Sequence, residues 1–125
     1  MKPVVLVVDD YPPVLKLCAA ALEPLAQVVV ASTADEALAL ASGADLVLTD
    51  FCMPGKNGLQ LLREVRRLRP QLAAVMMTST DLLPGEIEEL EAMQVPLLRK
   101  PFVVAELQQV VGPRLPSAQS APISG

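Results

Sequence analysis

No histidine occurs anywhere in the 125 residues. That removes His-based catalytic triads and His-ligated metal sites in one step. A metal here has to be held by oxygen, with two cysteines as the other candidates. Those two, Cys18 and Cys52, lie far apart and form no CxxC pair. They signal neither a disulfide framework nor a thiolate zinc site, and reduced thiols are the expectation. A basic cluster is also missing. The formal net charge is −4, with 14 acids against 10 bases. That argues against direct binding to nucleic acid or to an anionic membrane surface. No apolar run approaches the ~18 residues of a membrane span. The start, Met1-Lys2-Pro3, leads directly into Val4–Val8 and two acids, too short a run for a secretory leader. A cytoplasmic protein is expected. A glycine-rich nucleotide fingerprint is absent too, because Asp10 is followed by Tyr11-Pro12-Pro13.

The chain that remains is 52% hydrophobic, enough for one domain with one core. Val4–Val8 is a β-branched run without polar alternation, which suits a strand buried on both faces. Pro12 and Pro13 open a helix. Its apolar face is Val14, Leu17, Cys18, Ala21, Leu22 and Leu25. Gln27–Ala31 is a second strand. Thr33 and Glu36 fit a capping box for a helix with Ala34, Ala37, Leu38 and Ala41 inward, ended by Gly43. Residues 45–49 form a third strand that delivers Asp50 into a turn-rich loop. Leu59, Leu62, Val65 and Leu68 line the next helix, and Arg63, Arg66, Arg67 and Arg69 are read as its solvated face. Pro70 stops it. The fourth strand runs over 72–77 and ends at Thr78. Pro84 starts a helix with Ile87 and Leu90 inward. Residues 95–99 form the fifth strand, ended by Lys100-Pro101. Val103, Leu107 and Val110 or Val111 face inward from a last helix. From Gly112 to residue 125 the composition suggests a disordered tail or the start of a linker, which leaves 1–111 as the domain.

Five strand–helix units with short connections predict a parallel sheet built from right-handed crossovers. In such a sheet the strand C-termini share one edge, and ligands sit there. Asp9 and Asp10, Asp50, Thr78 and Lys100 therefore converge. Three carboxylates repel unless cations offset them. Lys100 supplies one charge, and a divalent cation would supply the rest. An all-oxygen set favours Mg²⁺. An ammonium, a hydroxyl and Mg²⁺ suit phosphoryl transfer, with Asp50 as the best nucleophile candidate.

Four stretches carry a resemblance: Val7–Asp10 (VVDD), Thr49–Gly58 (TDFCMPGKNG), Met76–Thr80 (MMTST) and Arg99–Phe102 (RKPF). Taken together and in order, they resemble the response-regulator receiver domain of two-component signalling, similar to the chemotaxis receiver, over residues 3 to about 111. The resemblance implies a flavodoxin-like doubly wound α/β fold with strand order 2-1-3-4-5 and five helices. It implies that Asp50 is the phosphoacceptor, fed by a sensor histidine kinase or a histidine phosphotransfer protein. Asp10 would bind Mg²⁺ directly and Asp9 through a metal-bound water, and the Cys52 backbone carbonyl would complete the protein ligands. Thr78 and Lys100 would bind the phosphoryl group.

The sequence also departs from the family pattern. Leu97 stands where an aromatic switch residue is usual, and Met93 where a glycine commonly closes the fourth helix. Cys52 and Thr80 occupy positions that tune phosphate lifetime, and neither is an acid or an amide, so slow self-dephosphorylation is expected. For Leu97, Leu83 and Met93 a packing role is favoured over an exposed partner patch. Output would pass through the helix 4–strand 5–helix 5 face to an unknown partner, and a phosphorylation-dependent homodimer is compatible with this. Such a protein is not an enzyme toward a separate substrate. The competing readings are a degenerate receiver acting as a constitutive interaction module, and a small aspartyl-phosphate phosphohydrolase.

Overall fold

The structure is a computed structural model that describes residues 2–116. Its strands are β1 (Val4–Val8), β2 (Gln27–Ala31), β3 (Leu46–Asp50), β4 (Ala73–Thr78) and β5 (Leu97–Arg99). Its α-helices are α1 (Pro12–Leu22), α2 (Ala34–Leu40), α3 (Gly58–Leu68), α4 (Pro84–Ala92) and α5 (Val104–Val111). All strand pairs are parallel, in the order β2-β1-β3-β4-β5. The flavodoxin-like order and the five helices are those expected from the sequence.

Side chains alternate across each strand, so the continuous apolar runs feed two cores. Leu6, Val8, Val47, Ala74 and Met76 pack on the side of α2, α3 and α4. Val5, Val7, Leu46, Leu48, Val75 and Met77 pack on the side of α1 and α5. This double burial fixes register, because a one-residue slip would exchange the two faces.

Several local signals act as read. Pro12 and Pro84 sit in the first turns of their helices. Thr33 accepts from the Glu36 amide, but the reciprocal bond goes from the Ser32 amide to Glu36 Oε1, at 2.7 Å. The full reciprocal box is at α3, between Asn57 and Gln60. It closes the loop after Asp50.

Other readings need correction. Leu17, Leu68, Ile87 and Val103 are exposed, and Leu61 is buried instead. Helical spacing marks a stripe along a helix, but the layer beneath it ends where the sheet ends. The α3 arginines are not simply a solvated face. Arg66 donates to the Leu72 and Met93 carbonyls, Arg69 to those of Ala41 and Ala44, and Arg63 pairs with Glu89 on α4. Chain ends of neighbouring elements leave carbonyls there that need donors. β5 is shorter than read, since Pro96 lacks an amide for the ladder. In the junction before it, Gln94 takes the left-handed backbone, at φ 59°, while Met93 keeps ordinary right-handed backbone. Leu97 and Met93 pack against the core, whereas Leu83 is exposed. Gly112–Arg114 forms a short 3₁₀ turn and Leu115 packs on the α1–α5 side. The remainder of the tail reading, residues 117–125, lies outside the described residues.

Gly58 ties the fold to the site. A Cβ there would overlap the Asp50 backbone carbonyl and the Met76 sulfur. Its own amide donates to the Phe51 carbonyl at 2.8 Å. The start of α3 thus lies directly against the end of β3, an approach open only to glycine. Gly58→Ala is expected to lower stability by about 1–3 kcal/mol through overpacking. Gly43→Ala, where no atom lies within 4 Å of the added carbon, should stay within about 0.5 kcal/mol of wild type. Chemical denaturation midpoints read both.

Candidate functional site

Strand register delivers the site. Val8 is level with Thr49, Asp50 with Met77, and Thr78 with Arg99. The residues that follow or end these strands, Asp9, Asp50, Thr78 and Lys100, therefore meet at one edge. The backbone extends the ladder beyond the strands: Asp9 N donates to Ala31 O at 3.1 Å, Phe51 N to Met77 O at 2.8 Å, and Lys100 N to Thr78 O at 2.7 Å.

The carboxylates of Asp9, Asp10 and Asp50 each place an oxygen within 4.8 Å of the others. Asp9 is wholly buried and Asp50 is 6% exposed, while Asp10 reaches solvent. The Lys100 ammonium donates to Asp9 Oδ2 at 2.7 Å and lies 3.3 Å from Asp50 Oδ1. The other Asp9 oxygen accepts from the Tyr11 amide at 2.9 Å. Asp9 is thus anchored on both sides, whereas Asp50 has one shared cation.

The electrostatics follow from this count. Burial raises the Asp50 pKa above the ordinary carboxylate value, and the nearby Asp9 charge raises it further; Lys100 opposes both. Burial pulls the Lys100 ammonium down, but its hydrogen bond to Asp9 and the charge of Asp50 more than offset that, leaving its pKa raised. The site carries three acids and one base, so a deficit of positive charge remains. Hard oxygen ligands with a double negative excess fit a divalent cation such as Mg²⁺. Cys18 lies behind the site in the α1–α5 core, and burial, with the Asp9 charge second, pushes its thiol up to about 11. It stays protonated at neutral pH, as a core residue.

Thr78 is buried, and its hydroxyl is engaged within its own loop. It donates to the Thr80 carbonyl at 2.9 Å and accepts from the Thr80 amide at 3.1 Å. Cys52 and Thr80 are both exposed and adjacent, Sγ to Oγ1 3.9 Å. The sequence placed each one near the site but not beside the other. Leu97 is half-buried on β5, two strands away from Asp50, with β4 between them.

Three contributors were not legible as site residues. The Tyr11 amide holds Asp9, and the Thr49 hydroxyl donates to the Asp50 carbonyl at 3.0 Å. Gly58 gives that carbonyl room. Only the Asn57-Gly58 pair, a common turn signal, hinted at the third.

Because the folded-state pKa of Asp50 is raised, its proton binds more tightly in the folded chain. Stability from this residue is therefore present at low pH and is lost as pH rises through the interval above 3.8, the ordinary value. Asp50→Asn is expected to raise the thermal midpoint at neutral pH in the absence of divalent cations. The gain should shrink as the pH falls toward that ordinary value. A midpoint difference that is flat with pH would contradict this account.

The family model for the response regulator receiver domain matches residues 5–112. The phosphate regulon transcriptional regulatory protein PhoB of Pseudomonas aeruginosa is 30% identical, over 95% of this chain and 56% of its own length. The DNA-binding transcriptional regulator NtrC of Azospirillum brasilense is 36% identical, over 54% of this chain and 14% of its own length. The chain thus spans well under two thirds of these relatives. Among solved structures, the chemotaxis protein CheY4 of Vibrio cholerae superposes with a TM-score of 0.83 at 26% identity, covering 92% of this chain and all of that one. The family model, spanning both ends of the sheet and every residue of the site, shows that the chain belongs to the response regulator receiver domains.

Proposed function

We propose that this chain is a phosphorylation-switched receiver, in which Asp50 accepts a phosphoryl group from a partner's phosphohistidine in a Mg²⁺-dependent reaction. The observation that carries the reading is Asp50 itself. It is a nearly buried carboxylate at the end of the central strand, grouped with Asp9 and Asp10 and touched by the Lys100 ammonium. Receiver domains are signalling domains and not enzymes toward a separate substrate, and they bind Mg²⁺ at an acidic pocket.

In the reaction an Asp50 carboxylate oxygen bonds to phosphorus as the P–N bond to the donor histidine breaks. The product is an aspartyl phosphate, and the electron pair leaves with the imidazole. Asp9, Asp10, Asp50 and the Cys52 backbone carbonyl would hold the metal. Bound Mg²⁺ supplies positive charge for the carboxylates and for the transferring phosphoryl oxygens. Lys100 already bridges Asp9 and Asp50, so its ammonium needs little movement to bind a phosphoryl oxygen on Asp50. Thr78 has further to go. Its hydroxyl must leave the Thr80 carbonyl before it can donate to the phosphoryl group, and that rearrangement of the Thr78–Thr80 loop is the local switch. Leu97 offers no ring to follow the hydroxyl, so the signal travels through this loop and the helix that it leads into.

The partners are a sensor histidine kinase or histidine phosphotransfer protein on the input side. On the output side, Leu83, Ile87, Val103 and Val104 expose apolar surface on the α4–β5–α5 side of the domain. Relatives such as PhoB and NtrC are transcriptional regulators by name, and an output domain joined to this receiver would suit them. No described helix is long and apolar enough to cross a membrane. A constitutive interaction module would not need the complete set of acids with Lys100 and Thr78. A phosphohydrolase would want a second acid where Cys52 stands.

Incubation with acetyl phosphate and Mg²⁺ should add one phosphoryl group to the wild-type chain, none to Asp50→Asn, and far less to Asp10→Asn. Labelling of Asp50→Asn at the wild-type level would sink the assignment. Neither Cys52 nor Thr80 is equipped to orient an attacking water. The phosphate should therefore persist for minutes or longer after the donor is removed, and a half-life of seconds would count against that role for the pair.

A further inference from the structure

The sheet has two edges, and they differ. β5 is three residues long, lies between Pro96 and Pro101, and carries Arg99. Short length, prolines and charge are the devices that keep an edge from pairing with other chains. β2 has none of them. It runs five residues, and no charged residue and no proline occurs from Leu25 to Ala34.

The outward hydrogen-bonding groups can be assigned. Gln27 N donates to Pro3 O, and Ala31 O accepts from Asp9 N. Backbone groups alternate in direction along a strand. Gln27, Val29 and Ala31 therefore bond to β1, and Val28 and Val30 present their amides and carbonyls to solvent. Side chains alternate as well, so Val30 lies on the α1 face with Val28. Val30 is 46% exposed there, and Leu17 of α1 is 42% exposed. At the other end of the same edge is a hollow of about 720 Å³, lined by Ala19, Ala20, Ala26 and Val28, with Lys2 and Glu23 of opposite sign beside them.

We infer that the β2 edge pairs antiparallel with the β2 edge of a second copy of this chain, about a two-fold axis at Val29, so that two five-stranded sheets become one. Centred there, Val28 faces the partner's Val30, and the two residues exchange N–H···O bonds in both directions; the axis repeats the exchange for Val30. The same operation carries the protruding Val30 and Leu17 end of one copy over the alanine-lined hollow of the other, twice. Charge permits it. The overall charge of −4 would oppose most self-contacts, but the strip from Leu25 to Ala34 carries no charge, and Lys2 and Glu23 beside it are of opposite sign. This contact lies on the opposite sheet edge from β5 and does not involve Asp50. It is independent of phosphorylation and of the function proposed above.

The test is sedimentation equilibrium of the 125-residue chain over a concentration series, with no phosphodonor, repeated on Asp50→Asn. Both should rise from the monomer mass toward twice that mass. Hydrogen exchange should show the Val28 and Val30 amides slowing as concentration increases. Val30→Lys places a charge on the exposed flank of the edge and should weaken the dimer at least about tenfold. Its circular dichroism should stay that of the folded chain, and its thermal midpoint at concentrations where wild type is monomeric should stay close to wild type. A mass that stays monomeric, amides of Val28 and Val30 that exchange alike at every concentration, or a folded Val30→Lys that dimerises as well as wild type would each overturn the inference.

Discussion

The contact between Lys100 and the pair Asp9 and Asp50 is the constraint on which the rest depends. Its partners come from the ends of β1, β3 and β5, and Lys100 and Asp9 are 91 residues apart in sequence. Two nearly buried carboxylates would be costly without it. The pair need not add net stability, because desolvation offsets much of the attraction. What it does is demand one arrangement. Only the parallel order with these strand lengths brings an ammonium to 2.7 Å from Asp9 and 3.3 Å from Asp50. Fold and site are in this sense one requirement.

The division of labour around that contact is uneven, and the unevenness suits a switch. Asp9 is held from two sides, by Lys100 and by the Tyr11 amide, and serves as a fixed reference. Asp50 shares its cation and has a raised pKa, so it sits in an environment that favours gaining positive charge nearby. Its backbone is immobilised by Gly58, Thr49 and the capping box at Asn57. Thr78 is the counterpart, a buried hydroxyl whose bonds are local and exchangeable. A carboxylate on a constrained backbone thus shares the sheet edge with a hydroxyl that can change partners.

Beyond the site, α4 is held differently from the other helices. It buries only Leu90. Its other ties are polar, with Glu89 paired to Arg63 and the Met93 carbonyl to Arg66, both from α3. Elements with few buried apolar contacts sit at the low-stability end of a fold. This helix follows directly from the loop that holds Thr78 and Thr80, so the least anchored helix adjoins the most rearrangeable part of the site.

Much of this was legible in the sequence for physical reasons. Apolar runs such as Val4–Val8 and Leu46–Leu48 suit doubly buried strands, and prolines and Thr33 mark helix starts. From those, the parallel topology and the edge shared by Asp9, Asp10, Asp50, Thr78 and Lys100 follow. Local pattern could not say where a layer ends. Leu17, Leu68 and Ile87 fit a stripe but meet solvent, and the α3 arginines found carbonyls that only packing supplies. Nor could it say which hydroxyl partner Thr78 holds, or that Cys52 and Thr80 touch, since these depend on loop conformations with no periodic signal. The sequence by itself determined which residue types arrive at one edge, because strand direction and alternation are local properties. Tertiary structure alone decided which carboxylate receives the ammonium and which carbonyls the α3 arginines reach, because both depend on distances between segments that are remote along the chain.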